Sequence, residues 1–450
     1  MTAGQFPQAF IKREQAHLGT QWDEFEEAHL QPSPVSIRYN PAKGLLMGGS
    51  PVPWTNHGRY LNQRPNFTLD PSFHGGKYYV QEASSMFLEQ AFQQHVPANV
   101  SLTALDLCAA PGGKSTHILS MMDRQSLLVS NEVIQSRAAI VTENIKKWGH
   151  CNVVVTNNDA KDFQRLEGFF DVIVVDAPCS GEGLIRKDKA ALNEWSEEAV
   201  DLCSLRQRRI LSDVWPALKP GGILIYSTCT YSTKENEDNL NWLEKDRGVE
   251  FLPVKCDPAW GIQESQVGSV IGYRCFPHRV KGEGFFLSVM RKNDSARPKE
   301  SRVKSKFQLP PKNISNALHD WLLASDDKFF IVHSERVQFF PAARTSEIQL
   351  LVNNLRVVFA GTAMVSIKRD KLIPDHALSL SIDLNRDFFD TIPLDENSSL
   401  QYLRKETIPF TSGKKGFALI TFENICLGWV NILDNRINNL YPSEWRIRIR

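Results

Sequence analysis

Cys179 stands in Asp176-Ala-Pro-Cys-Ser-Gly181 and Cys229 in Ser227-Thr-Cys-Thr-Tyr231. Each follows a short apolar run, FFDVIVV before the first and GGILIY before the second. Such runs read as buried parallel strands, and in an open α/β sheet reactive groups collect just beyond the carboxyl ends of strands. The two thiols, 50 residues apart, are therefore expected to face one pocket. A thiolate so placed serves covalent catalysis. The bland alternative for a single cysteine is a buried, inert thiol, and it is the reading for Cys108, Cys203 and Cys426.

A second constellation lies upstream. Leu105-Asp-Leu-Cys-Ala-Ala-Pro-Gly-Gly-Lys-Ser-Thr116 reads as a strand, a tight glycine turn and a helix start. The glycines permit close backbone approach to a ligand, and the helix N-terminus favours a negative group. GGKST hints at a phosphate-binding loop, but that motif needs a glycine where Cys108 stands. The G-x-G-x-x-G dinucleotide fingerprint is absent too.

Glu132 ends the next strand, where a nucleotide-type fold sets a carboxylate against ribose hydroxyls. Asp159 ends the third strand, suited to an adenine edge, and Asp176 ends the fourth. A lone acid at a strand end is usually a cap. Three behind a glycine turn fit an adenosyl ligand without phosphate, S-adenosylmethionine. The expected cofactor contacts are Cys108, Ala109, Ala110, Pro111, Gly112, Gly113, Lys114, Glu132, Asp159 and Asp176. No metal is expected, because none of the 8 cysteines forms a C-x-x-C pair.

The elements that position these residues follow from periodicity. Strands are expected in LTALDLCA, SLLVSNEV, NVVVTNND, FFDVIVVDA and GGILIYSTC, with a further one in GEGFFLSVMRK. Helical patterns fall near 113–122, 135–148, 197–217 and 234–244. Strands alternating with helices give a mostly parallel sheet covered on both faces, a Rossmann-like α/β domain. At 450 residues the chain exceeds one core.

The expected division is an N-terminal α+β subdomain over 1–100 and the Rossmann-like α/β domain over 101–292. A basic linker follows over 293–308, then a β-rich domain over 309–396 and a β-rich terminal domain over 397–450. The run 291–306 carries seven Lys or Arg against two acids. A hydrophobic share of 42% and no run of roughly 18 apolar residues argue against a membrane span. With no export signal and scattered thiols, the expected compartment is the cytoplasm.

CAAPGGK, DAPCSG and STCTYS together resemble the Sun-type RNA (cytosine-5) methyltransferases, with further likeness in YYVQEASSM and FPHRVKGEGFFLSVMRK. The β-rich C-terminal part is similar to the bacterial RsmF branch, which modifies 16S ribosomal RNA. There GFALITFENICLGWVNILDNRINNLYPSEWRIR resembles a terminal RNA-binding domain of the PUA kind.

Cytosine C5 is too weak a nucleophile to take a methyl group unaided, so a thiolate must first add to C6. The resemblance implies that Cys229 is the nucleophile and that Cys179 helps release the adduct. In DNA cytosine-5 methyltransferases the nucleophile follows a proline, which favours Cys179 instead. Asp176 is the candidate to stabilise charge at ring N3. Partners implied are ribosomal RNA or the small ribosomal subunit, with the protein acting as a monomer. The alternatives are the same reaction on transfer RNA, or a non-catalytic RNA-binding assembly factor with a degenerate fold. The complete motifs argue against the latter.

A net charge of +1 leaves RNA affinity to local patches: 291–306, Lys414 with Lys415, and Arg446, Arg448 and Arg450. The tail WRIRIR alternates as a strand would, setting its arginines on one face. Lys114 is expected at the cofactor loop or solvated, and Arg137 near RNA or on the surface. Tyr78, Tyr79, Tyr231 and Phe285 are candidate aromatic walls, with core packing as the simpler reading.

Overall fold

The computed structural model describes residues 6–44, 48–188, 190–293, 307–369, 371–408 and 414–449. A mixed central sheet has, as its parallel part, Leu218–Thr228, Phe170–Asp176, Thr103–Asp106, Leu127–Asn131 and Val153–Thr156 in spatial order. These segments are strands because both of their faces are apolar and buried. Along Phe170–Asp176, Val172 and Val174 enter one core cluster while Ile173 and Val175 enter the other. A sheet buried on both sides needs that near-continuous apolar run.

Helices supply the cover. Gly113–Met121 and Gln135–Trp148 pack on one face through Ile118, Val141, Ile145 and Trp148. Glu197–Val214 and Glu237–Arg247 pack on the other through Ile210, Leu211, Leu240 and Leu243. The helix at Glu197 starts where the Ser196 hydroxyl accepts from the Ala199 amide at 3.0 Å. Such a cap is worth about 1 kcal/mol. The helix gives way to a tighter turn at Trp215–Ala217, because Pro216 lacks an amide donor.

The run GEGFFLSVMRK supplies Phe285–Lys292, antiparallel to Leu218–Thr228. From Thr103–Asp106 the chain builds outward to Val153–Thr156, then returns to add Phe170–Asp176 on the opposite side. That reversal opens a crevice between the carboxyl ends of Thr103–Asp106 and Phe170–Asp176, where sheets of this type hold ligands.

Helices Gln8–Leu18 and Trp22–Leu30 precede a small antiparallel sheet of Ser50–Pro51, Gly58–Leu61, Val35–Tyr39 and Tyr78–Val80. Phe10, Trp22 and Phe25 of these helices pack with Trp195, Tyr231 and Phe276. The N-terminal helices thus abut the residue two beyond Cys229.

The C-terminal half holds two four-stranded sheets. One comprises Lys328–His333, Arg336–Pro341, Thr362–Lys368 and Lys371–Pro374. The other comprises Asp390–Pro393, Gly416–Phe422, Ile425–Ile432 and Ile437–Asn439. Between Arg336–Pro341 and Thr362–Lys368 in sequence, Val357–Ala360 joins the central sheet, antiparallel to Val153–Thr156.

The strand expected in WRIRIR is not formed. After the turn Ser443–Trp445, the Ile447 amide donates to the Leu403 carbonyl at 3.1 Å, so the tail lies on a helix end rather than a sheet edge. Arg446 and Arg448 are exposed there; Arg450 and 294–306 lie outside the described residues. Among the described residues no helix is long and apolar enough to cross a membrane.

Candidate active site

The glycine turn comes first. Thr103–Asp106 ends in the loop Leu107–Gly112, and Gly112 adopts φ 112°, ψ 7° at the start of helix Gly113–Met121. A side chain is strained in that left-handed region, so the turn calls for glycine. The loop borders a cavity of 170 Å³ whose walls include Tyr79, Gln81, Glu82, Cys108, Lys114 and Asp176. Below the loop the Ser115 hydroxyl donates to Asp106 Oδ2 at 2.6 Å, while Asp106 Oδ1 is buried without a partner. Burial pushes the Asp106 carboxyl up to about 7, against the lowering effect of Ser115. Burial and the neighbouring Asp106 also push the Cys108 thiol up, which disfavours its thiolate.

The thiols come next. Phe170–Asp176 and Leu218–Thr228 are adjacent and parallel, with Asp176 opposite Ser227. Cys179 and Cys229 follow that register pair by three and two residues, and their sulfurs lie 3.2 Å apart. The hydrogen bond with Cys229, then burial, raises the Cys179 thiol well above the ordinary cysteine value. Asp176 flanks the pair: Ser227 Oγ donates to its Oδ1 at 2.8 Å, and Lys114 Nζ meets its Oδ2 at 2.7 Å. The Lys114 ammonium also sits 5.2 Å from the Phe285 ring centroid. Pairing with Asp176 keeps Lys114 raised despite the opposing effect of burial.

The remaining expected residues spread outward from this centre. Glu132 is buried at the end of Leu127–Asn131, where its Oε1 accepts from the Ile134 amide at 3.0 Å. Arg137 approaches Glu132 at 3.7 Å and donates to the Ala110 carbonyl at 3.1 Å, so it braces the glycine loop. Asp159 caps the turn Ala160–Arg165 and pairs with Arg209 at 3.2 Å. Tyr79 lines the cavity, whereas Tyr78 is buried with its hydroxyl on Asp70. Tyr231 packs at 5.5 Å on Phe276 in the core under the N-terminal helices.

Several supporting residues carried no signal in the sequence. Arg38 is buried and reaches Gln81 at 2.7 Å, Thr116 at 2.6 Å and the Gly113 carbonyl at 3.1 Å, tying the small sheet to the cofactor helix. Glu82 accepts three backbone amides, those of Ser84, Ser85 and Glu283. Among the described residues no cluster of three or more His, Cys, Asp or Glu is disposed to hold a metal.

Comparison with known proteins gives the family. The 16S rRNA methyltransferase RsmB/F model matches residues 96–291, the RsmF N-terminal domain 6–83, and the RsmF PUA domain 389–447. The chain is 31% identical to ribosomal RNA small subunit methyltransferase F of Shewanella loihica, over 94% of this chain and 91% of that one. The enzyme of the same name from Salmonella agona is 31% identical over 98% and 96%. A methyltransferase homolog protein from Pyrococcus horikoshii superposes with a TM-score of 0.54 at 27% identity, covering 64% of this chain and 95% of that one.

Proposed function

The chain belongs to the 16S rRNA methyltransferase RsmB/F family, and from that membership we propose that it methylates cytosine C5 through a covalent bond between Cys229 and the base. The substrate is small-subunit ribosomal RNA, free or in the assembling subunit, and the setting is the cytoplasm. The observation that carries the reading is the thiol pair, 3.2 Å apart, on two loops that leave the sheet beside Asp176, which with Lys114 lines the cavity of the glycine loop.

S-Adenosylmethionine is the cofactor. Around the loop stand the carboxyls Asp106, Glu132 and Asp176 against the cations Lys114 and Arg137, with Asp106 Oδ1 unpartnered. That excess of acceptors suits a ligand of hydroxyl, ammonium and sulfonium groups and opposes phosphate. Residues 108–114 would hold it, with Glu132 at the ribose and Asp159 at the adenine. When bound, it supplies a methyl group on positively charged sulfur, electrophilic enough for a carbon nucleophile.

The chain's own residues do the rest. Cys229 thiolate adds to C6, and the C5=C6 electrons shift toward C5 and N3. Asp176, held by Ser227 and Lys114, passes to N3 a proton drawn from the Lys114 ammonium, which neutralises the developing charge, and takes it back when the C6–S bond breaks. Once Cys229 is bound to carbon, Cys179 gives its own proton to solvent, and its thiolate then takes the C5 hydrogen as a proton after C5 carries its methyl group. The C6–S bond then breaks, the ring double bond returns, and Cys229 departs as thiolate.

Residues 1–100 and 397–450 hold the RNA to either side of the methyltransferase domain. The test is methyl-labelled S-adenosylmethionine given to separate pools of 16S RNA, small subunits and transfer RNA, with the nucleosides then digested and resolved. Labelled 5-methylcytosine in the small-subunit material is expected. Label in transfer RNA alone would overturn the substrate, and tight RNA binding without label would leave an assembly factor.

A further inference from the structure

One buried carboxylate joins the two cysteine loops. Glu235, between Leu218–Thr228 and Glu237–Arg247, is fully buried. Its Oε2 accepts from the Ser180 amide at 3.0 Å and from Gln207 Nε2 at 2.8 Å. Its Oε1 accepts from the Ser180 hydroxyl at 2.5 Å and the Thr230 hydroxyl at 3.2 Å. Ser180 follows Cys179 and Thr230 follows Cys229, so one side chain registers the two sulfurs against each other. The four donors fill the carboxylate's acceptor sites. Glu235 is itself held, its carbonyl accepting from Tyr226 Oη at 2.7 Å and Asn239 Nδ2 at 3.2 Å.

The two loops depend on Glu235 unequally. The Cys229 loop has further anchors: the Gly183 amide donates to the Cys229 carbonyl at 2.8 Å, Asn236 Nδ2 to the Thr230 carbonyl at 3.1 Å, and the Tyr231 amide to Glu182 at 3.0 Å. On the Cys179 loop, Ser180 alone takes two of the four Glu235 bonds, and Gln207, itself bonded to Glu235, supports the Pro178 carbonyl at 3.0 Å.

The geometry points to Glu235 as a positioning residue for the release step, holding the Cys179 sulfur where it can take the C5 proton. It acts through Ser180 and Gln207 rather than on the base. This rests on Cys229 as nucleophile and Cys179 as the releasing thiol. Removing the clamp loosens Cys179 more than Cys229, so addition persists while release fails.

The experiment compares full-length wild type, Glu235→Ala, Glu235→Gln, Cys179→Ala and Cys229→Ala on 16S RNA with S-adenosylmethionine. SDS-resistant protein–RNA complex and free 5-methylcytosine are both quantified. Glu235→Ala should accumulate complex as Cys179→Ala does, with release slowed about 100-fold, the cost of a displacement near 1 Å. Glu235→Gln should release at close to the wild-type rate. Its amide oxygen can accept from Ser180 and Gln207 while its NH2 donates to the two hydroxyls, which rotate to accept.

Glu235→Ala that releases normally, or Glu235→Gln that traps as strongly as the alanine variant, would overturn the clamp. If Glu235→Ala does not fold, Ser180→Ala takes its place, and the absence of trapping there has the same force. A Cys229→Ala protein that still forms complex strikes the underlying assignment of the nucleophile instead.

Discussion

A thiolate that must add to a base and then leave it benefits from a neighbour that holds its proton early and releases it late. Two sulfurs 3.2 Å apart in a half-buried site do not both carry charge readily. Cys179 keeps the proton, because its hydrogen bond to Cys229 and its burial raise it well above the ordinary thiol value. When Cys229 becomes a thioether it is no longer an anionic acceptor, and the larger of those two causes disappears. Cys179 then ionises more easily at the stage where C5 needs a base. Burial still raises it in the adduct, so its thiolate fraction grows with pH through and beyond the usual value of about 8.5. Adduct formed by rapid mixing and jumped from about pH 7 to about pH 9 should therefore decay faster. The same jump on Cys179→Ala should leave decay slow and flat. A wild-type decay independent of pH would remove Cys179 from the release step.

Strand ends and their turns set the distances on which that chemistry depends. Gly183 lies in the turn Glu182–Leu184, and a Cβ there would sit 2.5 Å from the Gly284 carbonyl oxygen and 2.9 Å from that of Cys229. Overpacking of this kind costs about 1–3 kcal/mol. Gly183→Ala should lower the melting temperature and the methylation rate together. S-Adenosylmethionine affinity should hold, since the cofactor loop follows a different strand; calorimetric titration checks it, and unchanged turnover would show that the loops absorb the methyl group. The parallel strands were legible because burial on both faces leaves Val153–Thr156 and Phe170–Asp176 almost wholly apolar. The β character of LRVVFAGTAMVSIK was legible too, but not its division at Gly361 between the central sheet and a separate one. Alternation misled at WRIRIR, where Ile447 finds its partner on Leu403 instead of on a neighbouring strand.

Across the whole molecule, what the sequence hid are contacts between distant segments. Arg38 braces Gln81 and Thr116, 43 and 78 residues away, and Phe25 packs at 5.1 Å on Tyr231. Nothing local marks such pairs, whereas a glycine turn or a strand-end cysteine carries its meaning in adjacent residues. The consequence is that the N-terminal helices, the small sheet and the cysteine loops form one supporting body, so the chemistry is best tested on the full-length protein. Mixed with S-adenosylmethionine and small-subunit RNA containing 5-fluorocytosine, it should form an SDS-stable complex, because fluorine cannot leave C5 as a proton. Cys229→Ala should form none and Cys179→Ala should form it fully. Complex persisting in Cys229→Ala and lost in Cys179→Ala would contradict the assignment and exchange the roles of the two thiols.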